Sequence, residues 1–185
     1  PMGVVIEQET FAWADEPNRR FVLMQFVVSN PQTQDLQDVY AGFFMDRDIN
    51  TILNAYTFLP ASFNAADFEA STKTAYCYDR FESGGPLYAI SLLSEQDFKS
   101  FAGGALSNTE FTSSKKYNAL SNTPTVSTAT IGTTGQGLDV VQYISGGPFD
   151  IPAEGKDTLV FAMMVVDNLN QLVDVRDQAL NQYNC

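Results

Sequence analysis

The sequence contains no histidine, and this absence excludes several kinds of active site. Nucleophilic serine and cysteine sites of the triad type need an imidazole base, and zinc sites commonly use imidazole ligands. Histidine is also the side chain whose ordinary pKa lies nearest to neutral pH. We therefore expect no histidine-assisted acyl transfer, no imidazole-bound zinc and no histidine-based pH switch.

Positive charge is scarce. The chain has 10 Lys and Arg against 22 Asp and Glu, which gives a formal net charge of −12. Binding to nucleic acid needs clustered Lys and Arg that displace counterions from phosphates, and binding to anionic lipid needs the same side chains. The composition thus predicts no nucleic-acid partner and disfavours an anionic membrane surface.

Long apolar runs are absent as well. No stretch of about 18 apolar residues occurs, so the sequence predicts no membrane span. The first residues also lack the basic segment, apolar core and cleavage site of a signal peptide. The chain begins Pro1-Met2-Gly3 and ends Asn184-Cys185, and we interpret both ends as cuts from a longer polypeptide.

Cysteine is limited to Cys77 and Cys185. In an oxidising compartment the two could form one long-range disulfide. The alternative is a buried thiol on a strand at Cys77 and an unrelated cysteine at the chain boundary.

What the chain does contain favours β-structure. Its 185 residues fit one domain, since domains usually have about 100–200 residues. Fourteen Phe and eight Tyr are more typical of strands than of a helical bundle. We therefore predict a single β-sandwich domain over residues 1–185.

The run over residues 21–29 is the strongest predicted strand. Both of its alternating faces are largely apolar, which predicts a central strand covered on both sides. The apolar run at 39–45 follows after a polar turn and predicts an antiparallel hairpin with that strand. Further strands are predicted at 3–14, 76–78, 87–93, 140–144 and 158–166.

The connecting segments have their own patterns. We predict a long, partly ordered loop over 46–74, one or two helical turns over 95–101 with Ser94 as N-cap, and an exposed loop over 108–137. The two Gly-Gly-Pro segments, at 84–86 and 146–148, predict turns, because no helix with phosphate-loop spacing follows either.

The last residues predict an amphipathic helix that begins after Asn168 or Asn170. Its apolar positions recur at helical spacing, and Arg176 interrupts them, which favours a position at a sheet edge. The stripe consists of Leu169, Leu172, Val173, Arg176, Leu180 and Tyr183. The whole pattern predicts a mainly all-β fold: an antiparallel β-sandwich with a short middle helix and a C-terminal amphipathic helix.

Two stretches of the sequence carry a family resemblance. Residues 40–49 read Tyr-Ala-Gly-Phe-Phe-Met-Asp-Arg-Asp-Ile and follow a strand that ends in Val-Val-Ser-Asn. Later, Gly-Pro-Phe-Asp-Ile at 147–151 precedes Val-Phe-Ala at 160–162 and Asp-Asn-Leu at 167–169. Together they resemble a β-sandwich accessory module of large secreted bacterial proteins, which often lies C-terminal to a subtilisin-like serine peptidase domain. Arg47 stands where that module usually has Trp.

This resemblance covers roughly residues 3–183, and its motifs are structural. It implies a noncatalytic accessory or interaction module, cut from a secreted or cell-surface bacterial protein. The implied partners are neighbouring domains of the parent polypeptide, with a glycan or another surface molecule as a further possibility.

Asp46 and Asp48 are the sharpest candidates for chemistry. Residues two apart on a strand face the same side at about 6.5–7 Å, so the two carboxylates could share Ca²⁺ with Asn50. The alternative is a solvated strand end whose carboxylates meet arginine. Further candidate ligands are Asn54 and backbone carbonyls, and the candidate arginines are Arg19, Arg20 and Arg80.

Three other interpretations remain open. Exposed aromatic residues could form a carbohydrate-binding platform, or they could fill the core. Asp46 and Asp48 could act as acid and nucleophile in glycoside hydrolysis. Four other aspartates flank strands and are read as turn and cap residues or as metal ligands. The aromatic residues are Phe11, Trp13, Tyr76, Tyr78, Tyr88 and Tyr143, and the aspartates are Asp15, Asp79, Asp139 and Asp167.

Overall fold

The computed structural model describes residues 3–46, 49, 64–80, 84–95, 98–105, 112–122 and 140–185. These ranges contain nine strands, two α-helices and a short 3₁₀ turn at Asn18–Arg20. The strands are β1 Val5–Ala12, β2 Phe21–Ser29, β3 Leu36–Asp46, β4 Asn64–Glu69, β5 Thr74–Asp79, β6 Leu87–Leu92, β7 Phe98–Ala105, β8 Val140–Ile151 and β9 Lys156–Val166. The helices are α1 Ser113–Ser121 and α2 Leu169–Tyr183.

The strands form two antiparallel sheets. The larger has six strands in the order β1-β2-β9-β6-β5-β4, and the smaller has three in the order β3-β8-β7. The main core lies between the sheets, where Met24, Ile90 and Phe161 of the larger meet Met45 and Ile144 of the smaller. The predicted mainly β, antiparallel sandwich-like fold is confirmed.

Strand β2 lies inside the larger sheet, as its apolar pattern predicts. It pairs with β1 on one side and with β9 on the other. Met24 and Val28 are buried between the sheets, whereas Phe21 and Leu23 are buried on the opposite face. The prediction of a central strand covered on both sides is confirmed.

Helix α2 covers the outer face of the larger sheet. Asn168 is its N-cap, with its side chain accepting a hydrogen bond of 3.0 Å from the Gln171 backbone N–H. Leu172, Val175 and Ala179 are buried in the cluster that includes outer-face residues of β2, β6 and β9. The predicted helix is confirmed, but its predicted position at a sheet edge is wrong, because Val175 and Ala179 extend the apolar stripe around Arg176.

Helix α1 covers the outer face of the smaller sheet. Its Tyr117 ring packs edge-on against Tyr40 of β3 at 5.9 Å, and Ser145 Oγ of β8 donates to the Leu120 carbonyl at 2.8 Å. A Cβ on Gly42 would lie 2.5 Å from Leu120 Cδ2, so glycine permits this close packing. The fold therefore has four layers, with one helix outside each sheet.

The sequence places the middle helix wrongly. Part of the predicted helical turn at 95–101 lies in β7, whose backbone pairs with β8. Ser94 Oγ accepts from the Val160 backbone N–H at 3.1 Å and does not cap a helix. The actual helix, α1, lies within the predicted exposed loop at 108–137, where Thr112 accepts the capping hydrogen bond from Lys115.

Three connections also differ from the prediction. Strands β2 and β3 do not form a hairpin, because β3 pairs with β8 in the other sheet. Strand β4, paired with β5, lies within the predicted loop at 46–74. The predicted turn at 146–148 is an irregularity inside β8, where the register with β3 shifts between Val39 and Ala41. The turn near Gly84 is confirmed, as is the pairing of β5 with β6.

Candidate functional site

Asp46, the first predicted calcium ligand, lies at the end of β3 with an exposed side chain. Asp48 and Asn50 lie outside the described residues. In the described part of the chain no three acidic, cysteine or histidine side chains gather as a metal site would require. Arg20 Nη1 lies 3.3 Å from Asp167 Oδ2, and Arg19 pairs with Glu16. The calcium site and the Asp46–Asp48 hydrolase both stay predictions.

Three of the other four candidate aspartates lie in the described residues. The Asp15 carbonyl accepts backbone hydrogen bonds in the turn before the 3₁₀ segment, and Asp167 precedes α2 and binds Arg20. Asp79 is buried at the end of β5. Asp139 lies outside the described residues. Asp15 thus has the turn role that its position predicts, whereas Asp167 does not cap α2, because Asn168 is the N-cap.

The six candidate aromatic residues do not lie on one surface. Trp13 packs on Phe21 with ring centres 5.4 Å apart, and Tyr76 stacks on Tyr78 at 6.2 Å on the face that α2 partly covers. Tyr88 packs on the opposite face of the larger sheet with Cys77, and Tyr143 belongs to the smaller sheet. Most of these rings contribute to the packed interior, as the structural alternative predicts.

Tyr76 and Tyr78 share their face of the sheet with acidic residues of β4. Asp67 is directly opposite Tyr76 in the ladder. Burial, and then the nearby Asp67 carboxylate, raise the pKa of both phenols. Tyr76 also donates a hydrogen bond to Asp67. Both phenols therefore stay protonated at neutral pH.

A polar depression of about 600 Å³ lies beside the N-terminus of α2. Its lining residues include the aromatic Tyr78 and the polar Arg80 and Asn170. Two of its groups already have partners, because Asp167 binds Arg20 and Asn168 caps α2. An aromatic ring beside amide and guanidinium groups is chemistry that suits a sugar ring.

An apolar groove of about 330 Å³ lies between β1 and β3, the edge strands of the two sheets. We call it the edge groove. Its lining includes Ile6, which is 60% exposed, and Phe44, which is 45% exposed. The full lining is Ile6, Phe26, Val28, Ala41, Gly42, Phe43, Phe44, Leu159 and Phe161.

Strand β1 borders the edge groove and is exposed along all eight of its residues. It pairs with β2 in an uninterrupted register from Val5–Ser29 to Ala12–Val22, so no bulge twists it away from solvent. It also contains no Pro and no Lys, the residues that commonly protect an edge strand. The lack of Pro and Lys in β1 is visible in the sequence, but apolar periodicity alone does not show which strand is an edge.

Three phenylalanine rings pack together at the floor of the edge groove. The Phe43 ring lies 6.1 Å from Phe26 and 5.7 Å from Phe161, and the Phe26 and Phe161 rings meet nearly edge-on. Rings in such tilted arrangements stabilise one another beyond their buried area. The floor of the groove therefore joins rings of both sheets.

No protein-family model matches the chain, and no curated protein matches it. Neither helix of the described part combines the length and apolarity that crossing a membrane requires.

Proposed function

We propose that this chain is a noncatalytic interaction module that binds other polypeptide through the edge groove and strand β1. The observation that carries the proposal is that an eight-residue edge strand without Pro, Lys or a bulge borders an apolar groove. Such an edge offers a row of backbone donors and acceptors, and a groove beside it can receive side chains.

The sequence resemblance supports the same class of function. It implies an accessory module of a secreted or cell-surface bacterial protein, in some cases one with a subtilisin-like peptidase domain, with the neighbouring domains of the parent as partners. The sequence of the parent polypeptide on either side of residues 1–185 tests this origin. A peptidase domain next to the module would support it, and a cytoplasmic enzyme there would contradict it.

The binding function can be tested with an unbiased library of displayed peptides, selected on the immobilised chain. We expect enriched sequences that bind the wild-type chain and lose binding to Phe44→Asp, because a carboxylate at the exposed Phe44 position would make the groove wall polar. Leu169→Asp is the matched control, because Leu169 is 43% exposed at the first turn of α2, outside the groove. A selection that enriches nothing, or binding equally insensitive to both substitutions, would contradict the proposal.

Carbohydrate binding is a second candidate, and the polar depression beside α2 favours it. Tyr78 offers part of a ring face there, with Arg80 and Asn170 as hydrogen-bonding groups. A glycan array followed by titration tests this function. We expect a sugar whose binding is lost in Tyr78→Ala and kept in Phe11→Ala, since Phe11 lies on β1, away from this depression. An array without hits would exclude this candidate.

A further inference from the structure

The chemistry of the polypeptide that binds β1 can be inferred from the strand itself, if the proposed function holds. Strand β1 uses one side of its backbone for β2. In an antiparallel ladder, alternate residues direct their N–H and C=O groups to the other side. An extended segment could therefore add as a seventh strand to the larger sheet, beside β1.

The two faces of β1 differ in chemistry. Ile6 lines the edge groove, so the partner's side chains on that face would enter an apolar space. Glu7 and Glu9 are neighbours of Ile6 and Gln8 along the strand, and they face the opposite side. A partner strand would thus need apolar residues at alternate positions and a different kind of residue between them.

Charge specifies the partner residues that lie between the apolar ones. None of the described ion pairs involves Glu7 or Glu9, and the strand itself carries no Lys or Arg. Their ladder partners on β2 are the uncharged Val27 and Gln25. Directly opposite side chains in a ladder lie about 4.5–5.5 Å apart, close enough for Lys or Arg on an added strand to pair with both carboxylates.

A second copy of the chain fits this edge poorly. Antiparallel pairing of two β1 strands centred on Gln8 would place Glu7 of each copy opposite Glu9 of the other. Like charges directly opposite destabilise a ladder, and each copy also carries a net charge of −12. Charge complementarity therefore selects a basic partner over self-association.

We propose that β1 and the edge groove accept an extended segment of another protein in which apolar residues alternate with Lys or Arg. The segment adds to the larger sheet as an antiparallel or parallel strand. Its apolar side chains pack beside Ile6 and Phe44, and its basic side chains pair with Glu7 and Glu9.

The direct test is fluorescence anisotropy with a labelled eight-residue peptide of alternating Val and Lys. Two controls have matched length: alternating Val and Glu, and a block peptide of four Val followed by four Lys. We expect only the alternating Val-Lys peptide to bind, and we expect methylation of the backbone nitrogens that face β1 to abolish binding. Equal binding of the block peptide would show nonspecific attraction to an acidic protein and would overturn the proposal.

Reversing the charges on β1 tests the same pairing without any change to the peptides. The double variant Glu7→Lys/Glu9→Lys should bind the Val-Lys peptide about fivefold or more weakly, as expected for two cross-strand charge pairs. The same variant should gain binding to the Val-Glu peptide. Glu95→Lys/Glu154→Lys is the matched control, because both residues lie outside β1 and outside the lining of the edge groove. An unchanged preference in the β1 variant would overturn the proposal.

The outcomes separate this inference from the proposed function. If displayed peptides bind in a Phe44-dependent way but contain no alternating basic residues, the interaction function stands and the basic partner is wrong. If sedimentation instead shows a dimer of the wild-type chain that Phe44→Asp dissociates, the occupant is a second copy, and the inference is again wrong. If no peptide of any kind binds, both proposals fail.

Discussion

The thiol of Cys77 lies 2.6 Å from Oε1 of Gln142, and this contact joins the two sheets. Cys77 belongs to β5 of the larger sheet and Gln142 to β8 of the smaller, and both side chains are buried. Gln142 Nε2 also donates to the Tyr76 carbonyl at 2.9 Å. A polar bridge therefore links the two sheets, and the Cys77 thiol that forms it is free of any disulfide in the structure.

Both cysteines are free, and only Cys185 is exposed. We expect one thiol to react with a chromogenic disulfide reagent in the native protein and both after unfolding, because Cys77 is buried and the reagent cannot reach it. Quantitative thiol counting with and without denaturant, in the absence of reductant, checks this. Zero reactive thiols in denaturant would instead support the Cys77–Cys185 disulfide that the sequence left open.

Asn30 ties the end of β2 to the end of β8. Its buried amide donates to the carbonyls of Gln34, Ile151 and Pro152 at 2.8–3.2 Å, and its Oδ1 accepts from the Gln32 backbone N–H. Asn30→Ala leaves these buried groups unpaired and should lower the free energy of unfolding by about 2–4 kcal/mol.

Chemical denaturation of the Asn30 variant checks this value. Asn181→Ala on the exposed side of α2 is the control, and it should change stability by less than about 0.5 kcal/mol. Equal effects of the two substitutions would show that the Asn30 hydrogen bonds add nothing.

Gly147 permits the irregularity in β8 opposite β3. Its φ is +132°, and a Cβ there would lie 2.6 Å from the Val39 carbonyl oxygen. Gly147→Ala should therefore cost about 2–3 kcal/mol, since the strained backbone and the backbone clash add.

Gly84→Ala separates these two causes in the same denaturation experiment. Gly84 also has a positive φ, +83°, but no described atom lies within 4 Å of its Cβ position. We expect it to cost about 1 kcal/mol, from the backbone conformation alone. Gly147→Ala as mild as Gly84→Ala would contradict the close contact with β3.

Tyr76 and Tyr78 should make the protein less stable at alkaline pH. Burial and Asp67 raise the pKa of both phenols above the ordinary value of 10.0. Below that value the phenols are neutral in the folded and unfolded states, so their contribution to stability is complete. As the pH rises beyond it, the unfolded chain ionises first, and the free energy of unfolding falls.

Denaturation between pH 8 and about pH 11 checks this dependence. The fall should be shallower in Tyr76→Phe and Tyr78→Phe than in the wild-type chain, because phenylalanine cannot ionise. The same fall in the phenylalanine variants would mean that other groups cause it.

The calcium prediction at Asp46 has a direct thermal test. If Ca²⁺ binds the folded chain there, millimolar Ca²⁺ should raise Tm by about 2–4 °C per kcal/mol of binding free energy, and chelator should reverse the rise. Asp46→Asn should lose most of the rise, whereas Asp174→Asn, at an exposed position of α2, should keep it. If neither calcium nor chelator changes Tm, the predicted calcium site is wrong.

The elements that the sequence predicts correctly are those with a strong local pattern. Apolar residues fill both faces of β2, a continuous apolar run forms most of β9, and Asn168 with the stripe after it sets the start of α2. The candidate site was not predicted in this way. The sequence suggested strand-end aspartates and aromatic rings, whereas the edge groove lies where the edge strands of the two sheets meet. Ile6 and Phe43 are about as apolar as core residues, and only their neighbours in space make them groove residues.

The sequence by itself determined the class of the fold, because burial on one or both faces of a strand requires an apolar pattern along the chain. The tertiary structure alone decided which strands share a sheet. Leu36 pairs with Ile151, and no local pattern records a partner so distant in the chain. That pairing takes β3 out of the expected hairpin and leaves β1 as an exposed edge. The edge groove is therefore a consequence of long-range pairing, since which strand lies at a sheet edge depends on how all the other strands pair.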